Sequence, residues 1–162
     1  MAVLPIITAP DKRLKQKSEP VESVDSEIAK LMDDMLETMY LAPGVGLAAP
    51  QIGVTKRIIV VDVGKTEEER APHRMANPEL VCTSDEFSSY EEGCLSLPDH
   101  YAEVERPAKI TVGYLDENNA RQLFKTKSAP EIRGWPGCTH VTSSESLHTA
   151  FIFATSQDWK AS

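Results

Sequence analysis

The chain has 162 residues, of which 41% are hydrophobic and 26% charged, which predicts one globular domain with a core of its own. Its net charge of −8, with no face rich in Lys and Arg, argues against direct nucleic-acid binding. No run approaches the ~20 apolar residues of a membrane helix, and residues 1–5 do not resemble a signal peptide. We therefore expect a cytoplasmic protein without a membrane anchor.

The first strong element in chain order is a helix predicted over residues 24–41. Asp25 or Ser26 is placed to cap its start, and Pro43 with Gly44 ends it. The apolar side chains that recur at helical spacing are Leu31, Met35, Leu36 and Met39.

The middle of the chain reads as a series of strands. The β-branched run 57–63 predicts a confident strand, and extended segments follow over 77–81, 86–96 and 108–115. A turn signal at 116–119 precedes a short strand over 122–124. One early helix followed by strands predicts an α+β fold with a mostly antiparallel sheet.

The pattern changes over residues 125–162, where Pro, Gly, Ser and Thr interrupt any periodicity. Within it, Thr142 to Glu145 fits a capping box, and Leu147, Phe151 and Ala154 follow at helical spacing. We predict a helix over about 143–154.

Two short motifs carry the chemistry. One is Gly-Val-Gly-Leu-Ala-Ala-Pro-Gln over 44–51, and the other is Glu-Gly-Cys-Leu-Ser over 92–96. A cysteine thiolate is a metal ligand or a nucleophile, although a cysteine is also commonly a small buried hydrophobic residue. The second motif is followed by Val-Glu-Arg-Pro over 104–107.

Together these motifs resemble the peptide deformylase family, which removes the formyl group from the starting methionine of new bacterial proteins. The resemblance covers residues 1 to about 124 of a single domain spanning 1–162. It implies a catalytic metal, ferrous iron (Fe2+) with Zn2+ or Ni2+ as substitutes, and N-formyl-methionyl peptides emerging from the ribosome as partners. It implies that Cys94 is a metal ligand, and that the Gln51 side chain and the backbone N–H of Leu95 donate to the formyl oxygen.

The resemblance also implies substrate contacts. Gly44 and Gly46 would let the backbone approach the peptide closely, and Arg106 would lie near the peptide's path. Plainer interpretations stand beside these: Gln51 as a turn residue, the glycines as purely conformational, and Arg106 in a surface ion pair.

The family's second metal-binding element, an HExxH helix, is absent from the sequence. Its two histidines, four residues apart, share one helix face and reach one ion. The nearest match is Ser144-Glu145-Ser146-Leu147-His148, where serine replaces the first histidine. Glu145 is then the candidate general acid/base and His148 a candidate metal ligand. His140 is a candidate for the third ligand, although both histidines also fit ordinary surface positions.

Three interpretations follow. In the first, the site is degenerate and metal binding is weak or lost. In the second, residues 125–162 come from a shifted reading frame, although no single shift recovers an intact HExxH there. In the third, the protein binds formyl-methionyl peptides or another partner without metal and without catalysis. The sequence favours a deformylase-type metallohydrolase as the function, with the inactive binding protein as the alternative.

Overall fold

The computed structural model describes residues 2–64 and 67–125. Its one described α-helix, α1, spans Ser26–Leu41. The Asp25 carboxylate caps the helix by accepting the backbone N–H groups of Glu27 and Ile28. The predicted helix and its cap are therefore confirmed, and Ala42 closes the helix just before Pro43.

The strands form an antiparallel sheet and a separate hairpin, which confirms the predicted α+β fold. Among the described strands, five form a sheet in the order β1-β2-β3-β6-β7, and β4 pairs with β5 in a sheet of its own. The strands are β1 Gly46–Ala48, β2 Ile58–Val61, β3 His73–Thr83, β4 Phe87–Cys94, β5 Leu97–Pro107, β6 Ile110–Leu115 and β7 Arg121–Lys125.

Strand β2 lies at the centre of the core, with all four residues buried. Because successive side chains of a strand point to opposite faces, Ile58 and Val60 pack in the cluster that includes α1, while Ile59 and Val61 pack in a second cluster. Helix α1 contributes to the first cluster a row of fully buried methionines, Met32, Met35 and Met39. The burial of both faces explains why β2 is a continuous apolar run instead of an alternating one.

Two asparagines hold the segment that leads into α1. Asn77 and Asn119 adopt positive φ angles of 49° and 61°, a conformation that asparagine tolerates better than most residues. The Asn77 amide accepts the Val21 N–H at 2.9 Å and donates to the Val21 carbonyl at 2.7 Å. The Asn119 amide makes the same pair of bonds with Val24, at 2.6 and 2.9 Å. Each side chain thus pairs with the segment as a neighbouring strand would.

A second network holds the loop between α1 and β1. The backbone N–H of Asp62 donates to the Val45 carbonyl at 3.0 Å, and the Tyr40 hydroxyl donates to the Asp62 carboxylate. The same carboxylate accepts the N–H groups of Gly64 and Ala71. The end of α1, the glycine-containing loop and the segment after β2 are therefore joined through Asp62.

Two elements differ from the sequence prediction. Strand β1 lies inside the first motif and was not predicted, because Gly-Leu-Ala lacks β-branched residues. Strand β5, which extends from the Cys94 turn to Pro107, covers residues for which no strand was predicted. The predicted helix over 143–154 lies outside the described residues, and within those residues no helix is long and apolar enough to cross a membrane.

Candidate functional site

The fold brings the two motifs together. The first motif supplies β1 and the 3-10 turn Ala49–Ile52, which contains Gln51. The second supplies the end of β4 and the tight turn of the hairpin, in which Leu95 and Ser96 connect Cys94 to its partner Leu97. The predicted cluster of Gln51, Cys94 and Leu95 is thus assembled from two segments that are distant in sequence, since Gln51 and Cys94 are 43 positions apart.

Gln51 is 2% exposed, and both ends of its side-chain amide have partners. Its Oε1 accepts the backbone N–H of Ala48 at 2.9 Å. Its Nε2 donates to Ser96 Oγ at 3.3 Å and faces Cys94 Sγ at 3.7 Å. The Ala48 bond fixes which end of the amide is the donor, because the carbonyl oxygen must face Ala48. The donor end of Gln51 therefore faces the cysteine.

Cys94 is a free, half-buried cysteine with N–H groups around its sulfur. Burial raises the pKa of the Cys94 thiol, while the backbone N–H groups of Ser96 and Leu97 act in the opposite direction. With Gln51 Nε2, three N–H donors face the sulfur. Such donors stabilise a thiolate more than a thiol, since hydrogen bonds to ionised acceptors are the stronger ones.

Gly44 of the first motif lies against Leu95 of the second. A Cβ atom at this position would lie 2.8 Å from Leu95 Cδ1 and 3.5 Å from Met39 Cγ. The absence of a side chain at Gly44 is what lets the Leu95 side chain occupy its place against the core cluster. Gly46 lies on β1 opposite Val61 and is half-buried.

Arg106 is not brought to the cysteine. It lies on β5 opposite Ser88, whereas Cys94 pairs with Leu97 at the turn. Cys94 lies six positions after Ser88 on β4, about 20 Å of strand at roughly 3.3 Å per residue. The hairpin therefore places the Arg106 backbone at the end opposite the predicted cluster.

Of the predicted metal ligands, the described residues contain only Cys94. Within the described ranges, no three His, Cys, Asp or Glu side chains are grouped so that they could hold a metal ion. His73 packs edge-on against Phe124, at 4.5 Å between ring centroids, and His100 bonds the Pro98 carbonyl through Nδ1. Glu145, His148 and His140 lie outside the described residues.

The structure adds one site residue to which sequence reasoning gave no role. Ser96 belongs to the second motif, is 0% exposed, and contacts both Gln51 and Cys94. Its only sequence signal is its place two residues after the cysteine.

The chain is similar in sequence to known peptide deformylases. The sequence model of the polypeptide deformylase family matches residues 3–130. A peptide deformylase of Rhizobium meliloti (strain 1021) is 58% identical over 127 residues, covering 78% of this chain and 73% of the relative. A peptide deformylase of Agrobacterium fabrum is 54% identical over 125 residues, covering 77% and 74%.

Solved structures give the same result. The crystal structure of peptide deformylase from Ehrlichia chaffeensis superposes with a TM-score of 0.80 at 36% identity, covering 94% of this chain and 83% of that one. A second structure of that protein, in complex with actinonin, gives 0.72 at 46% identity over 77% and 75%. This chain, with its α+β fold and its paired motifs, therefore belongs to the polypeptide deformylase family.

Proposed function

We propose that this protein removes the formyl group from the N-terminal formyl-methionine of newly made proteins, and that the formyl group binds beside Gln51 and Cys94. The observation that carries the proposal is the buried Gln51 amide, whose donor end faces the cysteine at 3.7 Å. Its support from outside the chain is the high identity with bacterial peptide deformylases.

Gln51 and Leu95 have defined roles in this proposal. Amide hydrolysis develops negative charge on the carbonyl oxygen, and donors fixed in advance at that oxygen lower the barrier. The Gln51 Nε2–H is one donor and the backbone N–H of Leu95, in the turn directly after Cys94, is the other. Because the Ala48 N–H holds Gln51 Oε1 at 2.9 Å, the amide is already turned to donate.

The described residues fit one ligand of the metal that the family implies. Three N–H donors around the Cys94 sulfur suit a thiolate, the form in which cysteine binds metals. A divalent ion such as Fe2+, Zn2+ or Ni2+ would supply a polarised carbonyl and a water of lowered pKa. His148, with His140 as the candidate third ligand, would complete the set, and Glu145 would carry the proton.

Gly44, Gly46 and Arg106 remain proposed substrate contacts. The two glycines suit this role, because they flank Val45 on the loop and strand that lead to Gln51. For Arg106 the support is the sequence motif alone, since its backbone lies about 20 Å along the hairpin from Cys94.

The second candidate function is a peptide-binding protein without metal, favoured by the absence of HExxH from all 162 residues. In the nearest sequence match, Ser144 stands where the family motif has a histidine, and a neutral hydroxyl is a poor ligand for a divalent transition metal. The Gln51 amide and the Leu95 N–H would still recognise a formyl oxygen in such a protein.

One experiment separates the two functions. The purified chain is incubated anaerobically with formyl-Met-Ala-Ser and added Fe(II) or Ni(II), beside the variants Cys94→Ala and Gln51→Met. Gln122→Met is the matched control, because the side chain of this exposed glutamine on β7 bonds the nearby Asp116, away from the two motifs. Turnover lost in the first two variants and kept in the third supports the enzyme. Binding that depends on Gln51, without turnover, supports the binding protein. If the chain shows no turnover and no binding of the formyl peptide, both proposed functions are overturned.

A further inference from the structure

Ser96 occupies the point where the two motifs and the N-terminal segment meet. Its hydroxyl accepts Gln51 Nε2–H at 3.3 Å, and its backbone N–H faces the Cys94 sulfur. Its carbonyl accepts the Ala9 N–H at 2.9 Å. With 0% of its surface exposed and its backbone held at both ends, the residue has little freedom to move.

The hydrogen bond from Gln51 to Ser96 Oγ fixes the orientation of the Gln51 amide, because a primary amide has a rigid geometry. The amide group is planar, with one acceptor oxygen and two hydrogens on the nitrogen at fixed angles. In Gln51 the oxygen is fixed by the Ala48 N–H, and one Nε2–H is fixed by Ser96 Oγ. These two anchored corners, together with the covalent bond to Cγ, define the plane of the group. The direction of the second Nε2–H, toward the Cys94 side, is then determined.

The bond to Ala48 alone does not achieve this. A single hydrogen bond at Oε1 lets the amide turn about its own axis while the bond persists, since acceptance at a carbonyl oxygen tolerates a broad range of angles. Without the Ser96 hydroxyl, the second Nε2–H would sweep through an arc instead of pointing to one place.

We infer that Ser96 is a positioning residue for Gln51. Its hydroxyl sets the plane of the Gln51 amide so that the second Nε2–H, which faces Cys94 Sγ in the structure, points at the place of the formyl oxygen. The inference rests on the proposed function, in which Gln51 binds that oxygen. Ser96 itself touches no substrate in this scheme and acts only through Gln51.

Peptide binding is the first test, measured on the full chain with a chelator present so that affinity is read without turnover. The quantity is the ratio of the dissociation constants of Met-Ala-Ser and formyl-Met-Ala-Ser. Loss of a hydrogen bond of about 1–1.4 kcal/mol corresponds to roughly 5–10-fold, so Ser96→Ala should lower the ratio by about that factor. Ser84→Ala is the matched control, because Ser84 is also a buried, hydrogen-bonded serine but contacts Glu86 and Lys109.

A double-mutant cycle separates positioning from mere structural support. If Ser96 acts through Gln51, Ser96→Ala should have no further effect on the ratio in a Gln51→Met background. An equal effect in both backgrounds, or equal weakening of both peptides, overturns the inference. If Gln51→Met itself leaves the ratio unchanged, the proposed role of Gln51 fails, and the role of Ser96 fails with it.

The second test needs no ligand. In the NMR spectrum of the wild-type chain, the two Gln51 Nε2 protons should exchange slowly with solvent, because both have acceptors in a buried site. Ser96→Ala should accelerate their exchange by about tenfold, and Ser84→Ala should not. Unchanged exchange in Ser96→Ala overturns the inference even if the chain binds no formyl peptide.

Discussion

Replacing Gly44 with alanine should displace the Leu95 side chain. The new methyl carbon would stand 2.8 Å from Leu95 Cδ1, whereas carbon atoms in contact normally lie about 3.5–4.0 Å apart. The Leu95 tip must therefore withdraw by about 1 Å. Overpacking of this kind costs about 1–3 kcal/mol of stability. Because Leu95 belongs to the turn beside Cys94, a shift of about 1 Å is also large enough to lower formyl-peptide turnover or affinity by up to about 100-fold.

The assay combines urea unfolding with formyl-peptide binding. Gly113→Ala is the matched control, since its Cβ would lie 3.1 Å from Val81 Cγ2, away from the two motifs. Because Val81 is 55% exposed and can move aside, we expect Gly113→Ala to leave peptide affinity unchanged. Leu95→Ala should relieve the Gly44→Ala defect, with a coupling free energy of at least about 1 kcal/mol. The reasoning is refuted if Gly44→Ala costs as much stability in the Leu95→Ala background, or if Gly113→Ala weakens peptide binding equally.

Three further predictions concern stability. Burial and the bond to Asp62 raise the pKa of Tyr40 to about 12, so the stabilisation from its phenol is present below pH ~10 and lost as the pH rises through about 12. Tyr40→Phe should be about 1–3 kcal/mol less stable than wild type in urea at pH 8. A stability difference between the two proteins that does not narrow above pH ~10 would contradict this. Asn119→Gly should lower the free energy of unfolding by about 1–3 kcal/mol, because two hydrogen bonds are lost. Asn119→Ala should lower it by about 1 kcal/mol more because of the positive φ. Equal urea midpoints for the two variants would count against this effect of φ. Asp25→Ala should lower the free energy of unfolding by about 1 kcal/mol by removing the α1 cap, whereas Asp25→Asn should melt within a degree or two of wild type. If wild type and both variants melt at similar temperatures, the cap contributes nothing.

The parts of the fold that sequence reasoning predicted are those fixed by local chemistry. Helix α1 follows from the spacing of its apolar residues and from a cap one residue away, and β2 follows from β-branched residues. Strand β1 has no such signal, because Gly46–Ala48 becomes a strand only through pairing with Val61, Val60 and Ile59. Local propensity carries no information about that partner.

The same division holds for the candidate site. Gln51 and Cys94 were predicted from motifs whose resemblance to a known family is specific. The role of Ser96 required knowledge that a turn at the hairpin reaches a 3-10 turn elsewhere in the chain. The distance of Arg106 from the cysteine depends on the register of the β4–β5 hairpin, in which Ser88 pairs with Arg106. A register is set by the whole ladder and is not readable from four residues.

The asparagine contacts to the segment before α1 also bear on how the chain acquires its structure during synthesis. The Asp25 cap is complete as soon as α1 itself exists, but the Asn119 contact joins residues 95 positions apart. At a synthesis rate of about 5–20 residues per second, Asn119 is added roughly 5–20 s after Val24. For that interval Val24, directly before the cap, lacks its side-chain partner, whereas Val21 can already pair with Asn77, which is added earlier. The order of translation therefore makes α1 an early, provisional element that one of the last described parts of the chain completes.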